Sequence, residues 1–159
     1  MTTIISGALS PRQLAEEVRR LAASPGLWMS RVRLSAEGRW YERIHIDGNC
    51  EVWLISWLPG QATGFHDHGG SAGSFCVVWG TLEEHRAGTS ARLQPVTAGS
   101  VAAGQVRSFG PEFVHDVRNT SQAVAVSVHA YSPPLVQMTR YDLTARGLTV
   151  LDTESAAQW

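Results

Sequence analysis

The sequence predicts a mainly β fold, a barrel or sandwich of short strands preceded by one N-terminal helix. Helical spacing of apolar residues ends at Pro25-Gly26, and from Arg39 onward the period changes to two. Gly, Asn, Asp and Pro separate the short runs that follow. A chain of 159 residues with 43% hydrophobic residues suits one ordinary domain, so we expect residues 1–159 to form a single domain.

The N-terminal helix has clear start and stop signals. Ser10-Pro11-Arg12-Gln13 is typical of a capping box with proline at the first helical position. Apolar residues then recur at helical spacing, at Leu14, Val18, Leu21 and Ala22. A second short turn is expected near residues 28–32, and we assign residues 1–37 to an N-terminal helical segment.

The strand candidates follow in order, at residues 40–46, 50–58, 74–79, 81–86, 91–95, 100–102, 114–118, 123–131 and 137–143. Asp47-Gly48 suits a two-residue hairpin turn, and Ser132-Pro133-Pro134 ends the strand before it. We expect the β core to span residues 38–143, followed by a C-terminal segment at residues 144–159. A double-sheet jelly roll accommodates these elements and leaves a pocket in the barrel mouth.

Charge and composition exclude several classes of partner. The formal net charge is −1, with 13 basic residues scattered among 14 acidic ones, so no footprint for nucleic acid or an anionic membrane is present. Neither a leader sequence nor a run of 18 apolar residues is found, and we expect a cytoplasmic protein. Cys50 and Cys76 lack CxxC spacing, which predicts buried, reduced thiols. The oligomeric state is left open, and a monomer is compatible with the sequence.

Three histidines predict a metal site. His66 and His68 are two residues apart and can face one ion from a strand while Asp67 faces away; His115 follows 47 residues after His68. Three neutral nitrogens leave positions open on a six-coordinate metal, as a substrate-activating site requires. An HxH pair alone arises by chance, but here regularly spaced residues flank both blocks: Gly60, Gly73, Gly80, Gly104 and Asn119. The two blocks resemble the paired motifs of the cupin superfamily, with Gly73 in place of the usual Glu.

Two strand faces carry further polar side chains. Ser127, His129 and Tyr131 alternate with apolar residues, and Tyr41 and Arg43 share a face with His45. Alternation alone leaves two interpretations open, a solvated face or a hydrogen-bond relay beside a ligand. An arginine directed into a pocket suits a carboxylate, whereas a surface arginine needs no ligand.

Four sequence blocks resemble cysteine dioxygenases, in the same order over about residues 38–143: WYERIHIDGN, PGQATGFHDHGGSAGSFCVVWGTLEE, GPEFVHDVRN and VSVHAYSPPL. The run HAYSPP is typical of thiol dioxygenases rather than of cupins at large. The resemblance implies Fe(II) and a reaction of L-cysteine with O2 that gives cysteine sulfinic acid. The implied site residues are the metal ligands His66, His68 and His115, the substrate-binding residues Arg43 and Tyr41, and the relay Ser127, His129 and Tyr131.

The chain departs from the animal members of this family at Gly73. Those members carry a cysteine there, linked through sulfur to the tyrosine that matches Tyr131, and glycine cannot form this link. Cys76 projects to the opposite strand face and should not substitute. Arg43, rather than glutamine, favours cysteine as the substrate. The alternatives are a dioxygenase of another small thiol carboxylate, such as 3-mercaptopropionate, and a non-catalytic cupin that binds a metal or a small acid. Three imidazoles also bind Zn, Ni or Cu, so the ligand set alone does not identify the metal.

Overall fold

The computed structural model of the chain describes residues 7–87 and 96–158. In these ranges one α-helix precedes eleven β-strands, which form two antiparallel sheets, so the predicted fold class is confirmed. The helix is α1 (Pro11–Ala22), and the strands are β1 (Trp40–Ile46), β2 (Glu51–Trp57), β3 (Phe65–His66), β4 (Ala72–Trp79), β5 (Thr81–Ala87), β6 (Thr97–Ala102), β7 (Val106–Phe109), β8 (Val114–Arg118), β9 (Ala125–Ser132), β10 (Gln137–Thr144) and β11 (Gly147–Ser155).

Helix α1 begins at the predicted capping box. The Ser10 hydroxyl accepts the Gln13 amide N–H at 3.3 Å, and the Gln13 side chain accepts the Ser10 N–H at 2.9 Å. Two short 3-10 turns follow, at Pro25–Leu27 and Met29–Arg31, the second within the range expected for a turn. Among the described residues, no helix has the length and hydrophobicity that a bilayer crossing requires.

The two sheets enclose the interior of the barrel. The first sheet has the strand order β1-β2-β9-β4-β7, and the second has the order β11-β10-β3-β8-β5-β6. Between them lies an apolar cluster that includes Trp57, Phe75, Leu82 and Val117. The outer face of the first sheet is covered by α1, whose Leu14 and Val18 belong to a second cluster. The central strands of the first sheet, β2, β9 and β4, are therefore buried on both faces.

Strand β4 shows how alternation separates these two layers. Phe75 and Val77 face the interior between the sheets, whereas Cys76 belongs to the cluster under α1. Cys76 thus lies on the opposite face from the site, as predicted. Both cysteines are free and buried, and burial raises the pKa of the Cys50 thiol to about 11.

Three strands were not predicted from the sequence: β3, β7 and β11. The first two are only two and four residues long, so they offer little alternation to recognise. Strand β11 is mostly exposed on both faces and lacks the apolar period of a half-buried strand. Its pairing with β10 incorporates most of the C-terminal segment into the second sheet. The strand predicted at residues 91–95 lies outside the described residues, and the one predicted at residues 100–102 begins earlier, as β6.

The predicted β1–β2 hairpin is present, but its turn is one residue later than expected. The Asp47 N–H donates to the Cys50 carbonyl at 2.9 Å, so Gly48 and Asn49 are the central residues. The Asp47 carboxylate accepts the N–H groups of Asn49 and Cys50 at 2.7 and 2.9 Å. These side-chain bonds to the backbone stabilise the turn without a positive φ at Gly48.

Candidate metal centre

The three predicted metal ligands converge inside the second sheet. His66 and His115 face each other across the β3–β8 pairing, and His68 follows in the turn after β3. Their ligand atoms all lie within 4.8 Å of one another, and all three residues are buried. The ring centroids are separated by 4.8 to 5.0 Å. Three imidazole nitrogens at this spacing can bind one divalent ion.

Hydrogen bonds fix two of the rings with Nε2 available for a metal. His66 Nδ1 lies 2.8 Å from the Gly64 carbonyl, which can only accept, so Nδ1 carries the proton. His115 Nδ1 lies 2.9 Å from Oε1 of Glu84 and donates in the same way. Metal-binding histidines commonly have such partners, which fix the tautomer and the ring orientation. Burial, followed by the neighbouring His115, lowers the pKa of His66 well below 6.5 and keeps its ring neutral.

Glu84 was not predicted as a site residue. Its side chain is buried on β5, and Oε2 accepts the Arg86 Nε–H at 2.9 Å. Burial opposes ionisation of this carboxyl, but hydrogen bonds from His115 and Arg86 outweigh that effect and lower its pKa. A sequence signal existed, because Glu84 lies two residues after the buried Leu82 and therefore on the same strand face.

His68 provides the test of whether these residues fit a metal. Among residues 7–87 and 96–158, neither of its ring nitrogens makes a hydrogen bond of normal geometry, although the side chain is fully buried and the Phe113 backbone lies nearby. A buried polar group without a partner costs about 1–3 kcal/mol, so a native site of this kind calls for a ligand. Burial lowers the pKa of His68 well below 6.5, which keeps the ring in its metal-binding form. The donor set therefore fits a bound transition metal.

An aromatic wall surrounds the three histidines. Phe109 stacks on His68 with the ring centroids 4.5 Å apart, and Phe113 contacts His115 at 5.1 Å. Phe109 also stacks on Phe113 at 5.0 Å, which joins the two contacts into one surface. This wall shields one side of the site from water.

Gly73 lies beside Tyr131, as the pairing of β4 with β9 requires. A Cβ added at Gly73 would lie 3.0 Å from Cδ1 of Tyr131 and would overlap the Phe109 ring. Phe109 therefore fills the space that a side chain at position 73 would need. The Tyr131 phenol stays unlinked in this chain, because Gly73 supplies no sulfur.

The predicted relay residues lie together on β9. Ser127 Oγ is 2.7 Å from His129 Nε2, and His129 Nδ1 is 3.4 Å from the Tyr131 hydroxyl. Trp57, which was not predicted, donates its indole N–H to Ser127 Oγ at 2.9 Å. Because the Ser127 hydroxyl makes no other hydrogen bond to the described residues, we assign its O–H as the donor to Nε2, which places the His129 proton on Nδ1. In this assignment the Tyr131 oxygen accepts the Nδ1–H hydrogen bond at 3.4 Å, and its own O–H can donate into the cavity.

Burial sets the protonation of this relay. It lowers the pKa of His129 to about 3, so the ring is neutral at physiological pH. It also raises the pKa of Tyr131 far above the usual value of 10, an effect that the nearby Arg39 only partly opposes. The pair is therefore a neutral imidazole and a protonated phenol, a hydrogen-bond donor rather than a base.

A cavity of about 440 Å³ opens onto the site. This volume lies within the usual range of about 300–1,000 Å³ for small-molecule sites. Two of the metal-site histidines and two of the relay residues line it, together with apolar and polar residues and charged residues of both signs: His66, His115, His129, Tyr131, Tyr41, Trp53, Ile55, Thr63, Val117, Leu135, Met138, Arg39, Arg140, Asp152 and Glu154.

The two predicted substrate-binding residues occupy different places. Tyr41 lines the cavity, with its ring centroid 5.9 Å from that of Trp53. Arg43 lies outside the lining residues, with 46% of its side chain exposed, and its Nη1 is 3.4 Å from Oε2 of the buried Glu51. Its guanidinium carbon lies 5.6 Å from the Trp53 ring centroid. Arg39 and Arg140 line the cavity and were not predicted as site residues. His45, predicted to share this face, follows a register shift in β1.

A second group of potential metal ligands lies at the β1–β2 turn: His45, Asp47 and Cys50. The Asp47 carboxylate already accepts two backbone N–H groups, and the raised pKa of Cys50 disfavours the thiolate that binds metals. The contacts of this group therefore stabilise the β1–β2 turn.

Residues 9–144 match the protein family described as cysteine dioxygenase type I. Three solved structures share the fold. The protein TT1209 from Thermus thermophilus has a TM-score of 0.58 and 21% identity, over 67% of this chain and 94% of its own. An uncharacterized double-stranded β-helix protein from Klebsiella pneumoniae has a TM-score of 0.58 and 18% identity, over 78% and 93%.

The third is an RmlC-like cupin from Desulfovibrio desulfuricans, with a TM-score of 0.54 and 19% identity, over 65% of this chain and 91% of its own. At these identities the similarity is one of fold. It confirms the predicted cupin-type architecture.

Proposed function

Because this chain belongs to the cysteine dioxygenase type I family, we propose that it is an Fe(II)-dependent dioxygenase that converts L-cysteine and O2 to cysteine sulfinic acid. The observation that carries the proposal is the three-histidine centre, in which neither ring nitrogen of the buried His68 makes a hydrogen bond of normal geometry to the described residues. The reaction balances, since one thiol and one O2 give one sulfinic acid. Sulfur loses four electrons, and both oxygen atoms gain them.

The ligand set suits this chemistry. His66, His68 and His115 would hold the ion through neutral nitrogens, so the ion keeps its full positive charge for an anionic thiolate. Bound iron would supply positions at which thiolate and O2 meet. The protein contributes a rigid, largely apolar surround formed by Phe109 and Phe113, which limits access of water.

Tyr131 is the proposed hydrogen-bond donor to the reacting atoms. The neutral His129 orients its phenol, and Ser127 and Trp57 orient that histidine in turn. Removing one positioned donor typically slows catalysis by about 100- to 1,000-fold. Tyr131 is expected to act without changing its protonation state, because its raised pKa disfavours the phenolate.

Substrate binding is assigned to the β1 face that carries Tyr41 and Arg43. Tyr41 would contact the substrate from the cavity wall. Arg43 would act from outside the cavity lining, where it forms an ion pair with the buried Glu51. Family resemblance supports the role of Arg43 and favours cysteine over 3-mercaptopropionate.

The test is anaerobic reconstitution with Fe(II), followed by O2 uptake with three thiols: L-cysteine, 3-mercaptopropionate and cysteamine. We expect stoichiometric O2 consumption with L-cysteine and cysteine sulfinic acid as the product. Faster uptake with 3-mercaptopropionate would reassign the substrate. Stoichiometric iron without thiol-dependent O2 consumption would favour a non-catalytic metal-binding protein instead.

A further inference from the structure

Arg39 lies immediately before β1, two residues from Tyr41, and lines the cavity together with His66, His115 and Tyr131. Its side chain is partly buried. Within residues 7–87 and 96–158, its guanidinium makes no hydrogen bond and no ion pair. Five N–H donors therefore lie at the cavity without a hydrogen-bond acceptor among the described residues.

The other arginines near the cavity have carboxylate partners. Arg140 donates from Nε to Oε1 of Glu154 at 2.7 Å, and from Nη1 to the Thr63 carbonyl at 2.8 Å. Arg43 is paired with Glu51 and lies outside the lining residues. Of the two arginines that line the cavity, Arg39 is thus the one that forms no ion pair with a carboxylate of the described residues.

A cation–π contact positions Arg39 for a ligand. Its guanidinium carbon lies 5.2 Å from the ring centroid of Trp57, the residue that donates to Ser127 in the relay. The face of an indole ring attracts a cation and so restrains the guanidinium. Burial, and then repulsion from Arg140, lowers the pKa of Arg39, the direction expected for a cation that is partly removed from water. An anion in the cavity would replace that missing solvation.

We infer that Arg39 pairs with the carboxylate of the thiol substrate inside the cavity, while Arg43 acts only from outside the cavity lining. The inference rests on the proposed function, because it places the sulfur of the same substrate at the three histidines. The thiol sulfur and the carboxylate would then lie at two places in one cavity, since Arg39, His66 and His115 all line it. The fork geometry suits two parallel hydrogen bonds to a carboxylate. Arg39 would therefore set the preference for acidic thiols.

The experiment compares Arg39→Gln and Arg43→Gln in the iron-loaded protein, with Arg12→Gln on the exposed face of α1 as the matched control. Anaerobic calorimetry measures the Kd of L-cysteine and of cysteamine, which lacks the carboxylate, so binding is read without turnover. Oxygen uptake gives kcat and KM for the same pair. We expect Arg39→Gln to weaken L-cysteine binding by about 10- to 100-fold, the effect of losing a charge-assisted hydrogen-bonded pair. Cysteamine binding should change by less than about three-fold.

Arg39→Lys keeps the charge but not the fork, and we expect it to recover only part of the lost affinity. A larger loss in Arg43→Gln than in Arg39→Gln would overturn the inference, as would equal losses of L-cysteine and cysteamine. If Arg39→Gln binds L-cysteine as tightly as the Arg12 control while the wild type still makes sulfinic acid, the inference fails and the proposed function stands. Arg39-dependent binding without O2 uptake would sink the proposed function alone.

Discussion

Glu84 orients the proposed metal ligand His115 through one buried hydrogen bond, which it accepts from His115 Nδ1. We expect Glu84→Gln, which keeps the shape but removes the charge, to lower metal affinity by about 10- to 100-fold, the usual effect of changing such a partner. Competition with a chelator measures the affinity. Glu83→Gln is the matched control, because Glu83 lies next along β5 and pairs with His85 instead. Equal affinities in the two variants would show that the Glu84 charge has no role at the metal.

Phe109 occupies the space beside Gly73, so a new cysteine there should not reach Tyr131 without displacing the ring. We expect Gly73→Cys to lower the free energy of unfolding by about 1–3 kcal/mol, the usual cost of overpacking. Its intact mass after turnover should lack the loss of two hydrogens that a thioether requires. Gly99→Cys is the control, because a Cβ there meets nothing within 4 Å. A thioether between Cys at position 73 and Tyr131 in the Gly73→Cys variant, with an unchanged free energy of unfolding, would contradict this prediction.

Sequence reasoning identified residues that belong to a motif and missed those that act through distant contacts. His66, His68 and His115 were predicted because regular spacing marks them. Trp57 and Ser127 are 70 residues apart, and no local pattern indicates that an indole N–H meets that hydroxyl. Arg39 was missed because the strand was taken to start at residue 40, although Arg39 lies two residues before Tyr41.

At the scale of the elements, the Asp47 carboxylate gives the β1–β2 hairpin a pH-dependent stability. Hydrogen bonds from the Cys50 N–H, the Asn49 N–H and His45 lower its pKa from 3.8 to about 2. A carboxyl whose pKa falls on folding stabilises the fold above its unfolded pKa, and that stability is lost as the pH falls through the folded pKa. We expect wild type to melt above Asp47→Asn at pH 6, and the gap in Tm to narrow between about pH 4 and pH 2. A gap independent of pH would exclude this role for the carboxylate.

The elements themselves were predictable where burial imposes a period. Strand β9 is buried along its whole length, and its alternation of polar and apolar residues placed the relay on one face. Strand β3 has two residues, and it is defined by its partners β8 and β10 rather than by its own sequence. The mostly exposed β11 is likewise held by pairing with β10. Short or solvated strands depend on tertiary context that the local sequence does not encode.

At the scale of the whole molecule, the two sheets bring residues from opposite walls to one cavity. The second sheet supplies His66 and His115, and the first supplies His129 and Tyr131. Neither sheet alone contains both the metal ligands and the hydrogen-bond donor. The cupin-type fold therefore determines the geometry in which a thiol and O2 would meet beside Tyr131.

The most direct test of this account follows the fate of both oxygen atoms. The iron-loaded protein would be mixed with L-cysteine under ¹⁸O2 in ordinary water, and the product mass measured. We expect cysteine sulfinic acid with both oxygens labelled, because a dioxygenase transfers the two atoms of one O2 to the same sulfur. The metal-free protein should form none. Sulfinic acid with unlabelled oxygen, or cystine as the sole product, would contradict the central claim that this three-histidine centre is a thiol dioxygenase site.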